Sequence, residues 1–207
     1  ADAIGALPYI LQEFKAPVFG SPLTIELAKL FVKKNNNVKK FNNFHVIDAE
    51  TEIEFADATI SFFKTTHSVP ESLGIVVGTD EGNIVYTGDF KFDQAARKYY
   101  RTDLGRLTEI GREGVLALLS DSANATSHVM TASEAEVAAE MDSAIADAEG
   151  RVIIAAVASN LVRIQQVFDS AAEYGRRVVL TGFDAENMAI HHPLIAFQNS
   201  SLDRLII

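Results

Sequence analysis

Phe62-Phe63-Lys64-Thr65-Thr66-His67-Ser68 and Ile84-Val85-Tyr86-Thr87-Gly88-Asp89-Phe90 decide how this chain is read. Each is a run of aromatic and β-branched residues, the composition of a strand, ending in a side chain able to hold a metal. If the two runs are neighbouring strands, an imidazole and a carboxylate converge at one sheet edge. A zinc site with an open coordination position is assembled in this way. One histidine and one aspartate do not make such a site, and a loop histidine held by hydrogen bonds is the simpler account of His67.

Outward from these runs, the pattern stays β-rich. His45–Ile47, Glu52–Phe55, Thr59–Thr65, Gly74–Gly78 and Asn83–Tyr86 read as strands, with Asp80-Glu81-Gly82-Asn83 as a hairpin turn. Residues 3–14 show helical spacing, Pro17-Val18-Phe19 a short strand, and Ser21-Pro22 a cap opening a helix to Lys33. Thr102–Gly111 reads as a helix and the apolar run Val115–Leu119 as a buried strand. Beyond about residue 130 strands and helices alternate: Ser133–Ala148 helix, Val152–Val157 strand, Ser159–Tyr174 helix, Arg177–Thr181 strand, Glu186–Asn199 helix. That alternation implies parallel pairing by right-handed crossovers. The fold class is therefore α/β, antiparallel-rich over residues 1–130 and doubly wound over 131–207.

Composition narrows the function. Of 207 residues, 48% are hydrophobic and 22% charged, enough for a sizeable core. No cysteine is present, so disulfides, Cys-type zinc sites and thiol nucleophiles are excluded, and a reducing cytoplasmic location is expected. No apolar run is long enough for a membrane span. The net charge of −10 opposes indiscriminate binding of polyanions by the whole surface. It leaves room for a basic groove, and Lys91, Arg97, Lys98, Arg101 and Arg106 cluster in sequence; a solvated face is the commoner meaning of such a cluster. Ala1 at the start and Leu205-Ile206-Ile207 at the end suggest a portion of a longer protein.

Longer strings tie these features together. ALPYIL, FFKTTHSVPESLGIVV, GNIVYTGDFKFD, GVLALLSDSANA and VASNLVRIQQV, in this order along the chain, resemble the ribonuclease J family. This is a bacterial branch of the metallo-β-lactamase superfamily that carries a β-CASP insert. The resemblance implies a metallo-β-lactamase αββα sandwich portion, incomplete at its start, over residues 1–130. It implies the first part of a doubly wound β-CASP domain over 131–207. The implied activity is metal-dependent phosphodiester hydrolysis of RNA with two zinc ions, in a homo-oligomer or a hetero-oligomer with a paralogous ribonuclease J.

Residue by residue, the resemblance makes His67 a ligand of the first zinc and Asp89 the aspartate bridging both. Ala1-Asp2-Ala3-Ile4-Gly5 is similar to the tail of the family's His-x-His-x-Asp-His motif. Asp2 then stands at the aspartate, although a helix cap is its simpler meaning. Ala3 replaces the terminal histidine, and a methyl group cannot donate to zinc, which weakens the second metal site. Ser159-Asn160-Leu161-Val162-Arg163 stands where the family has Ser-Asn-x-His-Arg. Ser159, Asn160 and Arg163 are thus phosphate-binding candidates at a helix start, with Val162 in place of a histidine and plain capping as the alternative for Ser159. Phe183 replaces an arginine in Gly182-Phe183-Asp184-Ala185-Glu186, and Asp121 could orient a metal ligand or simply end a strand. The losses at Ala3, Val162 and Phe183 are similar to the second, less active paralogue of Gram-positive bacteria. They imply a weak or inactive nuclease, or a non-catalytic subunit that stabilises an active partner. His45 reads as a core or edge residue and His128 as part of a polar loop, while His191 and His192 lack the spacing of a ligand pair.

Overall fold

The computed structural model describes residues 2–96, 101–181 and 205–206, and the backbone alone at Asp2, Ala3, Leu205 and Ile206. The chain divides into two compact units. One comprises Ala1–His67 and Glu71–Met130, the other Ser68–Pro70 and Thr131–Ile207.

The first unit begins with α1 (Asp2–Gly5) and α2 (Leu7–Glu13), then β1 (Val18–Gly20), α3 (Pro22–Lys34) and β2 (Phe44–Val46). The single helix expected over residues 3–14 is broken at Ala6, next to Gly5, where glycine weakens a helix and Pro8 favours a new start. Strands β1 and β2 pair in parallel, with Phe19 opposite His45, and their rings stack at 4.9 Å. Leu11, Val32 and Val38 form a small core with Leu7, Val18, Phe41 and Phe44 around it.

Helix α3 is capped in an unexpected way. Pro22 has no N–H, so Leu23 carries the first backbone donor in need of a partner. The Ser21 hydroxyl donates instead to Thr24 Oγ1. Leu23 N–H finds Glu71 Oε2, 3.1 Å away and 48 residues further along the chain. A carboxylate suits that end of the helix dipole. Glu71 holds φ +62°, a left-handed conformation unusual outside glycine.

A five-stranded sheet follows: β3 (Glu52–Phe55), β4 (Ala58–Lys64), β5 (Leu73–Thr79), β6 (Gly82–Tyr86) and β7 (Val115–Leu119), in that spatial order. The first four strands pair antiparallel, and β5 turns into β6 at Asp80-Glu81, as the sequence predicts. Helix α4 (Leu104–Glu113) precedes β7, which pairs with β6 in parallel. Phe63, Val76, Val85 and Ile110 make the core between sheet and helix, with Leu107 against it. Gly74 lies under the Phe63 ring; a Cβ there would stand 2.1 Å from Cζ. Strand β7 differs from expectation: all five of its residues are exposed. Its residues form a strand because β6 offers a ladder, while α4 covers only the middle of the sheet.

In the second unit, α5 (Glu134–Asp147) and α6 (Leu161–Glu173) pack together, followed by the short parallel pair β8 (Val178–Val179) and β9 (Leu205–Ile206). Ser133 and Glu136 close a reciprocal capping box at the start of α5. Ile145, Leu161, Val162, Ile164, Phe168 and Ala171 are buried. Residues 152–157, expected as a strand, have no regular structure. Their apolar side chains fit a strand, but a strand exists only with a partner ladder, and among the described residues none pairs there. The expected helix at Glu186–Asn199 lies outside the described residues.

Candidate metal centre

Strands β4 and β6 run in the same direction with β5 between them, so their C-terminal ends emerge at one edge of the sheet. They are not neighbours, as the simplest convergence of His67 and Asp89 required. Two strand spacings, about 10 Å, separate their axes. The loops close that gap. Beyond β4 the chain runs on through Thr65 and Thr66, and Thr66 forms an isolated antiparallel bridge with Lys91. Beyond β6, Gly88 turns with φ +61°, a conformation glycine adopts without cost, and Asp89 follows.

His67 Nε2 and Asp89 Oδ2 thereby come within 3.6 Å, with His67 partly buried and Asp89 mostly exposed. That separation is long for a hydrogen bond. It is close to the ~3.4 Å expected between two donors about 2.1 Å from one tetrahedral ion. The pair thus has the donor chemistry and spacing for a shared zinc. Among the described residues no group of three or more His, Asp or Glu side chains gathers in one place. Asp2 opens α1, and its side chain, like that of Ala3, lies outside the described residues.

The two loops are tied by buried threonines. Lys91 N–H donates to Thr66 O at 2.9 Å. Thr66 N–H donates to Thr102 Oγ1, and Thr102 N–H to Thr66 Oγ1, each at 2.9 Å. Thr102 Oγ1 also lies 3.2 Å from Thr66 Oγ1 and 3.3 Å from Lys91 O. Its single proton serves one of these acceptors at a time. Both threonines are buried. Asp93, also buried, pairs with Lys91 Nζ at 3.5 Å and accepts from Ala95 and Ala96 N–H. Of these residues the sequence marked only Lys91, and that as part of a basic cluster. The one available signal was a threonine next to His67 in the string TTHS.

Asp121 follows β7 beside the end of β6. Its N–H donates to Thr87 Oγ1, and its Oδ1 accepts from Ala123 N–H at 2.8 Å. One carboxylate oxygen is therefore occupied in ending the strand. Of the basic cluster, Arg106 contacts Glu109 and Glu113, and Arg101 donates to Ala96 O. Arg97 and Lys98 lie outside the described residues.

At the start of α6 the candidate phosphate groups serve the helix. Asn160, rather than Ser159, is the cap, its Oδ1 accepting from Arg163 N–H at 3.0 Å. Arg163 Nη2 pairs with Glu134 at 3.1 Å, both side chains mostly buried. Val162 is buried in the helix packing, and its N–H donates to Ser68 O at 3.3 Å. Phe183, His191 and His192 lie outside the described residues. His45 accepts or donates at Asn43, and His128 sits on an exposed turn.

Comparison with known proteins sharpens this picture. The family model described as "Ribonuclease J, beta-CASP domain" matches residues 149–199. Ribonuclease J 2 of Streptococcus pyogenes serotype M3 is 77% identical over 188 residues, covering 91% of this chain and 34% of that protein. Ribonuclease J 2 of Staphylococcus epidermidis is 44% identical over 185 residues, covering 89% of this chain and 33% of its own length. The chain thus spans about a third of the curated relatives it matches. A crystal structure of a protein of unknown function from Enterococcus faecalis V583 superposes with a TM-score of 0.62 over 88% of this chain and 44% of that one. At 14% identity that likeness concerns the fold alone. No helix among the described residues is long and apolar enough to cross a membrane. At 77% identity to one ribonuclease J 2 across 91% of this chain, and with the β-CASP family match at residues 149–199, the chain is a ribonuclease J-like sequence.

Proposed function

We propose that this chain forms part of an RNA-processing protein whose metal-dependent hydrolysis of RNA phosphodiesters is weak or lost. Residues 1–130 are its metallo-β-lactamase portion and 131–207 the opening part of its β-CASP portion. The observation that carries this reading is the 3.6 Å approach of His67 and Asp89 at one sheet edge. His67 would offer Nε2 and Asp89 a carboxylate oxygen to zinc, with Asp2 as a further ligand. A zinc ion bound there would supply Lewis acidity toward a phosphodiester oxygen and an attacking water. The chain itself fixes the two donors from opposite loops, so that a bound ion would meet them without further rearrangement.

Three features support reduced activity. Ala3 removes a nitrogen donor from the second metal position. Val162 is buried in α6 and offers no polar group, and Arg163 is already neutralised by Glu134. The same features favour a second reading, a non-catalytic subunit that binds and stabilises an active ribonuclease J paralogue.

Metal content and RNA cleavage of the full-length gene product decide between them. We expect slow cleavage of single-stranded RNA that needs zinc or manganese and disappears in H67A and D89A. Cleavage unaffected by these substitutions would remove the proposed site. Absence of both metal and cleavage, with co-purification of a paralogue, would favour the subunit role. Two zinc ions per chain with brisk cleavage would exclude it.

A further inference from the structure

We infer that Thr102 is a positioning residue that sets the distance between His67 and Asp89, and this rests on the metal reading given above. The loop ending in His67 and the loop containing Asp89 come from strands separated by β5, so no sheet ladder fixes them to each other. Their direct link is the bond from Lys91 N–H to Thr66 O. Thr66 immediately precedes His67, and Lys91 lies two residues after Asp89. Any shift of that link is transmitted to both ligand side chains.

Thr102 braces the link from a third segment. Its hydroxyl accepts from Thr66 N–H and faces Lys91 O, while its own N–H holds Thr66 Oγ1. The neighbouring Asp103 N–H donates to Lys64 O at 3.1 Å, continuing the edge of β4. Asp103 also caps α4 through Arg106 N–H, and Ile110 of that helix is anchored in the core. The two loops are therefore referenced to α4 as well as to each other. Both hydroxyls are shielded from water, where a lost partner leaves a buried donor unsatisfied and the segment relaxes to find another. Groups one step removed from a metal act on it through such orientation.

The test compares T102V, which keeps the shape and loses the hydroxyl, with T102S, which keeps the hydroxyl, in the full-length gene product. Zinc affinity is measured by titration, the His67–Asp89 separation by crystallography, and Thr66 and Lys91 amide exchange by mass spectrometry. T102V is expected to weaken zinc binding about tenfold or more. It should widen the His67–Asp89 separation beyond about 0.5 Å of tolerance and speed exchange at both amides. T102S should restore all three. Should T102V fail to fold, T66V removes the opposite hydroxyl and is expected to act in the same direction. The inference falls if the valine variants leave the separation and exchange unchanged. It also falls if T102S behaves like T102V, because the methyl packing would then be what matters. A wild-type protein that takes up no zinc overturns the metal reading alone; separation and exchange still decide whether Thr102 positions the pair.

Discussion

The sheet edge of the first unit and the start of α6 in the second meet different fates. At the sheet edge, backbone and threonine hydroxyls hold the loops, leaving His67 and Asp89 to face each other. At α6, the side chains that could meet a phosphate also build the helix: Asn160 caps it and Arg163 ties it to α5. A site keeps its chemical capacity where other residues do the structural work, and loses it where one residue must do both.

The largest effect that could break this contrast lies beneath the sheet edge. Phe63 is 2% exposed and packs with Val76, Val85 and Ile110. F63A should cost about 3–5 kcal/mol, measured by denaturant unfolding. If the loss is much smaller, the sheet under the His67 loop is not the rigid support that the contrast assumes.

A smaller change sharpens the other side. N160A should lower stability by about 1 kcal/mol through loss of the cap, whereas S159A should stay within about 0.5 kcal/mol of the parent. Thermal unfolding followed by circular dichroism separates them. Equal losses at both positions would mean that Ser159 shares the capping and has no hydroxyl to spare.

The smallest effect is at the far end of the same helix. Tyr174 Oη donates to Asp142 at 2.8 Å, and that bond raises the phenol above its usual range, with burial and nearby carboxylates adding to it. A raised folded value means the bond contributes fully below about pH 10, the ordinary phenol value, and is lost as pH rises through the shifted one. The unfolding midpoint should fall in that alkaline window alongside phenolate absorbance, and Y174F should abolish this step. An unchanged profile would show that α5 and α6 are held at that end by packing alone.

How much could be read in advance follows from what each feature depends on. The β5–β6 hairpin was legible because alternation and Asp80-Glu81-Gly82-Asn83 are local signals. The Ser133–Glu136 capping box is equally local, its two halves three residues apart, although only the helix it opens was expected. The exposure of β7 was not, because Val115–Leu119 records only that the segment is apolar, and covering depends on how far α4 reaches. Residues 152–157 misled for a related reason: β-propensity has no effect without a neighbour. At the site, the convergence of His67 and Asp89 was legible, but its route was not. The intervening β5 and the Thr66–Thr102 pairing link positions 36 residues apart, beyond any local pattern.

Glu71 makes the same point on a different axis, that of time. The cap on α3 comes from a carboxylate that reaches Leu23 across 48 residues, so the helix can form before its first turn is secured. That turn is completed only when the return from β4 into β5 has closed and Glu71 has taken its left-handed φ. Such a late contact barely changes how fast a chain folds but slows how fast it comes apart. Glu71 is therefore expected to act as a latch, with E71A shortening the lifetime of the folded first unit more than it slows its folding.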